Sequence, residues 1–434
     1  MNVTLVAQQA KAASFLLAAL PEETKNQALR VMAASLRTHA PEILCANAQD
    51  LQAAQREVSA GRMKQSLYDR LHLTPEKLET TIRGMEELLG LPNPVGVVQE
   101  ETELDEGLVL QKISCPIGVL GIIFEARPDV IPQICALAVK SGNAALLKGG
   151  KEALHTNQQL MQIILQALAQ VPGYPSGAFA LLTTREESAQ MLQEDTSIDL
   201  IIPRGGNHLL TYVKNNTRIP VLGHADGVCH MYIAPSAEVE MACTLTVDAK
   251  TQYPAACNAL ETLLIDTRWP QAFQTQLLQT LVQHGVTLYG NTQVAVHAPV
   301  AGDVTNWHTE YGEKKLSVKW VSTLQEAITH INTYGSHHTD AIVTADIQEA
   351  EQFMQQVDSA GVYHNASTRF ADGYRYGFGA EVGISTGKTH ARGPVGLAGL
   401  TIYKYKLRGT GQRVADYVGP HARPFTHKKR GGKV

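Results

Sequence analysis

The spacing of hydrophobic residues changes character near residue 113. Before that point, residues 5 to 90 are rich in alanine, leucine, glutamate and glutamine at helical spacing, which predicts a run of amphipathic helices. Pro21, Pro41 and Pro75 interrupt this run, and each is followed by a glutamate, which is favourable in the first turn of a helix. The sequence therefore predicts a helical lead-in that is divided into separate helices.

Beyond residue 113, short apolar runs rich in β-branched residues alternate with amphipathic segments. The runs predict strands and the longer segments predict helices. The strand candidates are ISCPIGVLGIIF (113–124), AALLK (144–148), FALLT (179–183), IDLIIPR (198–204), LETLLI (260–265), LSVKWV (316–321) and DAIVT (340–344). Such alternation indicates parallel sheets with crossover helices, so we predict an α/β protein with two such units.

Composition narrows the class of protein. The chain has 434 residues, 44% of them hydrophobic, which is enough apolar material for two or three packed domains. A net charge of −4 provides no overall attraction to nucleic acid or to a membrane surface, and the apolar runs are too short to span a bilayer. The first residues do not resemble a signal peptide. We therefore expect a cytoplasmic protein that acts on a small molecule.

The six cysteines form no CxxC pair, and no histidine or cysteine spacing suits zinc. This predicts reduced thiols and no metal site. Cys257, in YPAACNALETLLI, lies between small residues and an apolar run. From the residues alone it is either a reachable nucleophile or one more small apolar residue at the start of a buried strand.

Two glycine pairs each follow a predicted strand and open a predicted helix. They are KGGKE (148–152) and PRGGNH (203–208). A helix N-terminus at such a turn offers free N–H groups to a phosphate, although glycine pairs also serve as simple tight connections. The GxGxxG fingerprint is absent from the sequence, so a dinucleotide would have to bind through a different arrangement of residues.

Towards the C-terminus, turn-forming residues dominate. GVYHNASTRF (361–370) precedes YGFGAEVGISTGKTHARGPVG (376–396), which predicts an irregular segment folded against a site. The last stretch, VGPHARPFTHKKRGGKV (418–434), is basic and predicts a solvated tail.

Seven motifs, taken together, resemble those of the γ-glutamyl phosphate reductases, a diverged branch of the aldehyde dehydrogenase superfamily. They occur in order between residues 5 and 410, and they are SCPIGVLGIIFEARPDV, GNAALLKGGKEA, DLIIPRGG, YPAACNALETLL, YGSHHTDAIVT, VYHNASTRFADG and GFGAEVGISTGKTHARGPVGL. The resemblance implies an aldehyde dehydrogenase-like α/β fold. It also implies NADPH-dependent reduction of L-glutamyl 5-phosphate to L-glutamate 5-semialdehyde, a step of proline synthesis.

The resemblance also suggests a division of the chain. It predicts a parallel-sheet cofactor domain over 1–250, interrupted by an oligomerisation hairpin at 97–115, then an α/β catalytic domain over 251–392, an oligomerisation strand at 396–412 and the basic tail at 413–434. An exposed edge strand in the oligomerisation element predicts a homo-oligomer. Glutamate 5-kinase is an expected partner.

Cys257 falls on the catalytic cysteine of the superfamily, which favours the nucleophile. A thiolate attacks an acyl phosphate well, phosphate is a good leaving group, and the resulting thioester accepts hydride more readily than a carboxylate does. We assign the other five cysteines to packing.

The cofactor residues follow from the same resemblance. Lys148 matches the lysine that holds the adenine ribose, and Lys151 replaces a glutamate of relatives. A second cation there suits the 2′-phosphate of NADP, the alternative being a solvated lysine. Gly205 and Gly206 match the pyrophosphate turn, and Glu310 in HTEYG resembles the glutamate that binds the nicotinamide ribose.

Two departures from the general aldehyde dehydrogenase pattern concern the chemistry. Where relatives place an oxyanion-binding asparagine, the chain has Ala126 followed by Arg127, whose guanidinium faces either the departing phosphate or a structural carboxylate, Glu125 or Asp129. Leu222 stands where hydrolytic relatives place a glutamate that activates water, with His224 as an alternative base. Leu222 therefore argues against the alternative of a hydrolytic NAD(P)-dependent aldehyde dehydrogenase.

The remaining candidates concern the substrate carboxylate. They are Asn365, Ser367, Thr368 and Arg369 in the NASTRF loop, and Arg392 in THARGP. Either arginine provides a bidentate fork for a carboxylate, and either could instead tie the glycine-rich segment to the fold. A further alternative for the whole chain is a nucleotide-binding protein that has kept the fold and lost the chemistry.

Overall fold

The computed structural model describes residues 1–223 and 226–430, which form two compact units. Unit 1 contains Met1–Gly205, Tyr212–Leu222 and the described residues from Gly396 onward; unit 2 contains Gly206–Thr211 and Gly223–Val395.

The helices and strands are numbered here in chain order. The helices are α1 (Val3–Ala19), α2 (Glu22–Thr38), α3 (Ala40–Ser59), α4 (Gln65–Leu71), α5 (Pro75–Glu87), α6 (Val130–Ser141), α7 (Leu154–Ala169), α8 (Arg185–Met191), α9 (Asn207–Asn215), α10 (Val239–Thr251), α11 (Gln271–Gln283), α12 (Thr292–Ala295), α13 (Leu324–Tyr334) and α14 (Ile347–Gln356). The strands are β1 (Val98–Asp105), β2 (Leu108–Pro116), β3 (Val119–Phe124), β4 (Ala144–Lys148), β5 (Phe179–Leu182), β6 (Leu200–Arg204), β7 (Cys229–Ile233), β8 (Leu260–Asp266), β9 (Thr287–Tyr289), β10 (Lys315–Val321), β11 (Thr339–Val343), β12 (Gly361–His364), β13 (Ile384–Ser385), β14 (Gly393–Pro394), β15 (Thr401–Arg408) and β16 (Lys428–Arg430).

The predicted breaks in the helical lead-in are confirmed. Pro21 immediately precedes α2, Pro41 lies in the first turn of α3, and Pro75 is the first residue of α5. Proline is tolerated there because the first turn of a helix has no acceptor for its missing N–H group. Within the described residues, no single helix is long and apolar enough to span a membrane, and only α1 and α2 together, bent by 119°, reach that length and apolarity.

The main sheet of unit 1 is parallel, with the strand order β5-β4-β3-β6. The fully buried β3 lies inside it, and the chain reverses its direction of winding between β3 and β6. Ligands of open α/β sheets bind beside the carboxyl ends of the strands at such a reversal. This edge carries the residues that follow β3, β4 and β6, which include all the predicted phosphate-binding turns.

A second sheet of unit 1 is antiparallel, with the order β15-β2-β1-β16. β15 pairs with β2 along its whole length, from Thr401 opposite Pro116 to Arg408 opposite Val109. The hairpin at 97–115 and the C-terminal strand therefore belong to one sheet.

The described part of the tail is exposed, but it is not detached from the fold. β16 pairs with β1, Arg430 forms an ion pair of 2.7 Å with Glu103, and the Tyr417 hydroxyl donates to Asp105 at 2.9 Å. The tail binds here because β1 is acidic and would otherwise present unpaired backbone groups at the sheet edge.

Docking of the tail should depend measurably on the Arg430–Glu103 pair. We expect Glu103→Gln to speed trypsin cleavage after Lys428 or Lys429 by roughly two- to fivefold, because a partly exposed ion pair contributes about 0.2–1 kcal/mol. Gel analysis of timed digests measures this rate. Glu351→Gln, at an exposed position on α14, is the control, and equal rates for the two variants would contradict the prediction.

Unit 2 contains a parallel sheet with the order β12-β11-β7-β8-β10-β9. The boundary between the units therefore lies at Gly223, earlier than the predicted boundary at residue 250, because β7 pairs with β8 and β11 and so belongs to this sheet. The glycine-rich segment is largely irregular, as predicted, apart from the short β13–β14 pair.

Candidate active site

Cys257 lies in the turn before β8, at the amino end of that strand, and it is half-buried. Gly227 presses directly against the backbone of Cys257, and a Cβ atom at position 227 would overlap the Cys257 carbonyl group. The thiol of Cys229 donates to the same carbonyl at 3.3 Å. The segment before β7 therefore holds the backbone of Cys257 in place from one side.

The NASTRF loop holds the same turn from another side. Thr368 donates its hydroxyl to the carbonyl of Asn258 at 2.7 Å, and the Asn258 amide donates to the carbonyl of Ala371 at 2.8 Å. Residues 365 to 370 and the residue that follows Cys257 are therefore fixed to one another.

Arg369 places a cation near Cys257. Its side chain is buried, its Nε donates to Gln252 at 2.9 Å, and its guanidinium lies over the ring of Tyr253 at 5.8 Å. Burial lowers the pKa of Arg369, and the first group acting in the opposite direction is Cys257 itself. The contacts with Gln252 and Tyr253 therefore fix the direction of this guanidinium beside the segment that leads to Cys257.

The other predicted substrate residues are engaged within the fold. The Asn365 amide accepts from the N–H of Thr344 at 3.0 Å and donates to its carbonyl at 2.9 Å, while Ser367 is buried and accepts from the N–H of Arg369. Arg392 pairs with Asp358 at 3.0 Å, which is the structural use that the sequence left open. Of the predicted substrate side chains in unit 2, Arg369 therefore remains the best placed to meet an anion.

A buried ion pair supports the turn that carries Glu310, and sequence reasoning missed it. Lys250 and Glu261 are fully buried, with 2.8 Å between Nζ and Oε2, and Glu261 also accepts from the N–H of Gly312 at 3.2 Å. Burial raises the pKa of Glu261 and lowers that of Lys250. The pair therefore ties the exposed Glu310 turn to β8, the strand that follows Cys257. A glutamate inside the apolar run LETLLI was the available signal.

In unit 1, the turn after β4 forms a cradle at the carboxyl edge of the sheet. Lys148 ends β4, is buried, and donates to the carbonyl of Gly149 at 2.5 Å. A Cβ atom at Gly149 would overlap the Asn157 amide and the Phe124 ring, so only glycine fits. Burial lowers the pKa of Lys148. This bare backbone beside a lysine suits a nucleotide.

Lys151 and the two glycines after β6 lie on the surface. Lys151 is exposed in the turn before α7, and Gly205 and Gly206 are exposed directly before α9. Their positions at strand-to-helix turns match those predicted from the sequence.

The turn after β3 carries Arg127. Its side chain is exposed, and the preceding Ala126 is buried with a left-handed backbone of φ +43°. Asp129, one of the two expected partners of Arg127, instead pairs with Lys77 at 3.3 Å.

Comparison with known proteins decides the family. The aldehyde dehydrogenase family profile matches residues 1–315. γ-Glutamyl phosphate reductase of Acaryochloris marina is 52% identical over 98% of this chain and 98% of its own length, and that of Methanosarcina acetivorans is 47% identical over 97% and 96%. The chain belongs to the γ-glutamyl phosphate reductases, within the aldehyde dehydrogenase family.

Solved structures agree with this family. γ-Glutamyl phosphate reductase of Thermotoga maritima superposes with a TM-score of 0.91 and 36% identity, covering 95% of this chain and 100% of that one. An acetylating aldehyde dehydrogenase of Geobacillus thermoglucosidasius reaches a TM-score of 0.67 at 17% identity over 95% and 97%, which shows the shared fold. The resemblance seen in the motifs and the predicted α/β fold are confirmed, and the family implies a nicotinamide cofactor.

Two features of this γ-glutamyl phosphate reductase concern water and metal. Leu222 is buried, and its side chain is apolar and has no group that could take a proton from water. Its backbone N–H donates to the carbonyl of Ile201 at 2.9 Å. His224, the alternative base, lies outside the described residues. Across residues 1–223 and 226–430, no three histidine, cysteine or acidic side chains gather as metal ligands.

Proposed function

We propose that this enzyme reduces L-glutamyl 5-phosphate to L-glutamate 5-semialdehyde and phosphate, the second step of proline synthesis from glutamate. The observation that carries the proposal is the half-buried Cys257, held by its neighbours near the guanidinium of Arg369, in a chain of this family. The direct test is an NADP-linked assay of the reverse reaction with glutamate semialdehyde and phosphate. A chain that binds NADP and shows no such activity would instead be the non-catalytic alternative.

The chain's own residues perform the acyl transfer. The Cys257 thiolate attacks the acyl carbon, the C–O bond to phosphate breaks, and a thioester remains. The backbone N–H of Cys257 donates to the oxyanion, Arg127 receives the departing phosphate, and Arg369 holds the α-carboxylate. When bound, NADPH would supply the hydride for reduction of this thioester.

The cofactor is NADP rather than NAD. With NADP bound, the buried Lys148 would donate to the adenine ribose, the backbone of Gly205 and Gly206 would bind the pyrophosphate, and Glu310 would accept from the nicotinamide ribose. Lys151, exposed in the turn before α7, is free to reach the 2′-phosphate that distinguishes NADP from NAD.

The change Lys151→Glu should shift the preference from NADP towards NAD. A charge-assisted hydrogen bond contributes about 1.5–3 kcal/mol. We therefore expect the kcat/KM with NADP, divided by the kcat/KM with NAD, to fall by roughly 10- to 150-fold. Lys151→Gln removes the cation without adding an anion, so its ratio should lie between that of the parent and that of the glutamate variant. Steady-state assays with both cofactors measure the ratio. An unchanged ratio would mean that Lys151 is a solvated surface residue without a role in cofactor binding.

The open edge of β15 supports a homo-oligomer. Ile402, Tyr405 and Leu407 on this strand are 40%, 61% and 57% exposed, and such an edge pairs readily with another chain. Association with glutamate 5-kinase is part of the proposal because an acyl phosphate hydrolyses readily in water. The six cysteines, all free, favour the cytoplasm as the compartment.

A further inference from the structure

The carboxylate of Glu152 joins two turns at the carboxyl edge of the unit 1 sheet. Its Oε1 accepts from the backbone N–H of Ala126, in the turn after β3, at 2.8 Å. Glu152 itself belongs to the turn after β4, and its carboxylate folds back over Gly150 so closely that a Cβ atom at position 150 would overlap it. Only glycine at position 150 permits this arrangement.

Glu152 also interacts electrostatically with Lys148. Burial lowers the pKa of Lys148, and Glu152 is the first group that opposes this shift. The Glu152 carboxylate therefore attracts the Lys148 ammonium electrostatically and also accepts a hydrogen bond from Ala126, the residue before Arg127.

The turn after β3 has an unusual backbone conformation at Ala126. Ala126 has a left-handed backbone, which an alanine rarely adopts, and it is fully buried. On one side Glu125 donates its N–H to the carbonyl of Arg204 at 3.2 Å, and on the other the N–H of Val130 donates to the carbonyl of Arg127 at 3.1 Å. The bond from Ala126 to Glu152 orients the peptide group between these two anchors.

We propose that Glu152 is a positioning residue of the reductase, which fixes the left-handed turn at Ala126 and thereby aims Arg127 at the phosphate. Glu152 acts through Arg127 and not on the reacting atoms. The inference rests on the proposed function, since it needs a phosphate that Arg127 receives.

The experiment measures the KM for inorganic phosphate in the oxidative direction, with glutamate semialdehyde and a saturating NADP concentration set for each variant. Glu152→Ala removes the acceptor, so we expect the KM for phosphate to rise about tenfold or more while kcat at saturating phosphate changes less than about threefold. Glu152→Gln keeps an amide oxygen for the Ala126 N–H and should restore the KM to within about threefold of the parent.

A double-mutant cycle with Arg127→Ala separates positioning from general loss of structure. If Glu152 acts through Arg127, adding Glu152→Ala to Arg127→Ala should leave the KM for phosphate unchanged within about twofold. Additive effects would overturn the inference, as would an unchanged KM in Glu152→Ala. Should the alanine variant fail to fold, Glu152→Asp, which keeps the charge but shortens the reach, makes the same comparison.

The parent enzyme distinguishes failure of the inference from failure of the proposed function. A parent without phosphate-dependent reduction of NADP would overturn the proposed function itself. A parent with that activity, whose KM for phosphate does not respond to Arg127→Ala or Glu152→Ala, would overturn the inference alone.

Discussion

Cys257→Ala should lose turnover by roughly 10⁴-fold or more, because the nucleophile that forms the thioester is gone and the remaining groups only bind and orient the substrate. NADP binding should stay within about threefold of the parent value, since the proposed cofactor residues are untouched. Steady-state assays measure the first quantity, and a fluorescence titration with NADPH measures the second.

Cys45→Ala is the matched control for this prediction. Cys45 is exposed on α3 and should respond to alkylating reagents without loss of activity, whereas modification of Cys257 should inactivate the enzyme. Turnover by Cys257→Ala comparable to that of the parent would remove Cys257 from the mechanism. It would favour the packing role that the sequence alone also allowed.

Omission of phosphate should stop the reverse reaction after about one NADP is reduced per site. The reason is the buried Leu222, which supplies no base, whereas general-base help is typically worth ~10²–10⁴-fold. Without that help water attacks the thioester slowly, and phosphate must release the acyl group. Stopped-flow measurement of NADPH absorbance should therefore show a burst without phosphate and steady turnover with it.

Arsenate provides the control for phosphate in this experiment. It should support steady turnover in place of phosphate, because it attacks the same acyl carbon, while an equal concentration of sulfate should not. Sustained release of glutamate at the full rate in phosphate-free buffer would contradict the prediction and would mean that another group activates water.

The motifs propose a different position for the nucleophile than general rules of fold would have done. Ligands of parallel sheets are expected at the carboxyl ends of strands, and Lys148 obeys this rule at the end of β4. Cys257 does not, because it lies before β8, at the amino end of a strand. Its candidacy came from the resemblance in YPAACNALETLL and could not have come from topology.

Two arginines, Arg369 and Arg392, show why the roles of the remaining site residues could not be predicted from the sequence. Arg369 and Arg392 carry the same fork, and both lie in segments rich in turn formers. Asp358, 34 residues before Arg392, pairs with that guanidinium, while Arg369 stacks on Tyr253 near the thiol. The sequence around each arginine does not predict which of these partners it contacts.

The amino-acid sequence by itself determined the helices of the lead-in, the turns that carry the candidate chemistry and most strands of the two parallel sheets, namely β3, β4, β5, β6, β8, β10 and β11. These features follow from the spacing of apolar residues and from the backbone preferences of proline and glycine, which act among near neighbours. The start of α5 at Pro75 and the strand AALLK, which became β4, are examples.

Only the tertiary structure decided which distant segments meet. The place of β7 in the unit 2 sheet, the pairing of the basic tail with β1, the buried Lys250–Glu261 pair and the bond from Ala126 to Glu152 all join residues far apart or in different elements. Burial and satisfied hydrogen bonds in the folded chain determine which partner each strand edge or buried charge has. In the sequence alone, several partners suit each of them equally well.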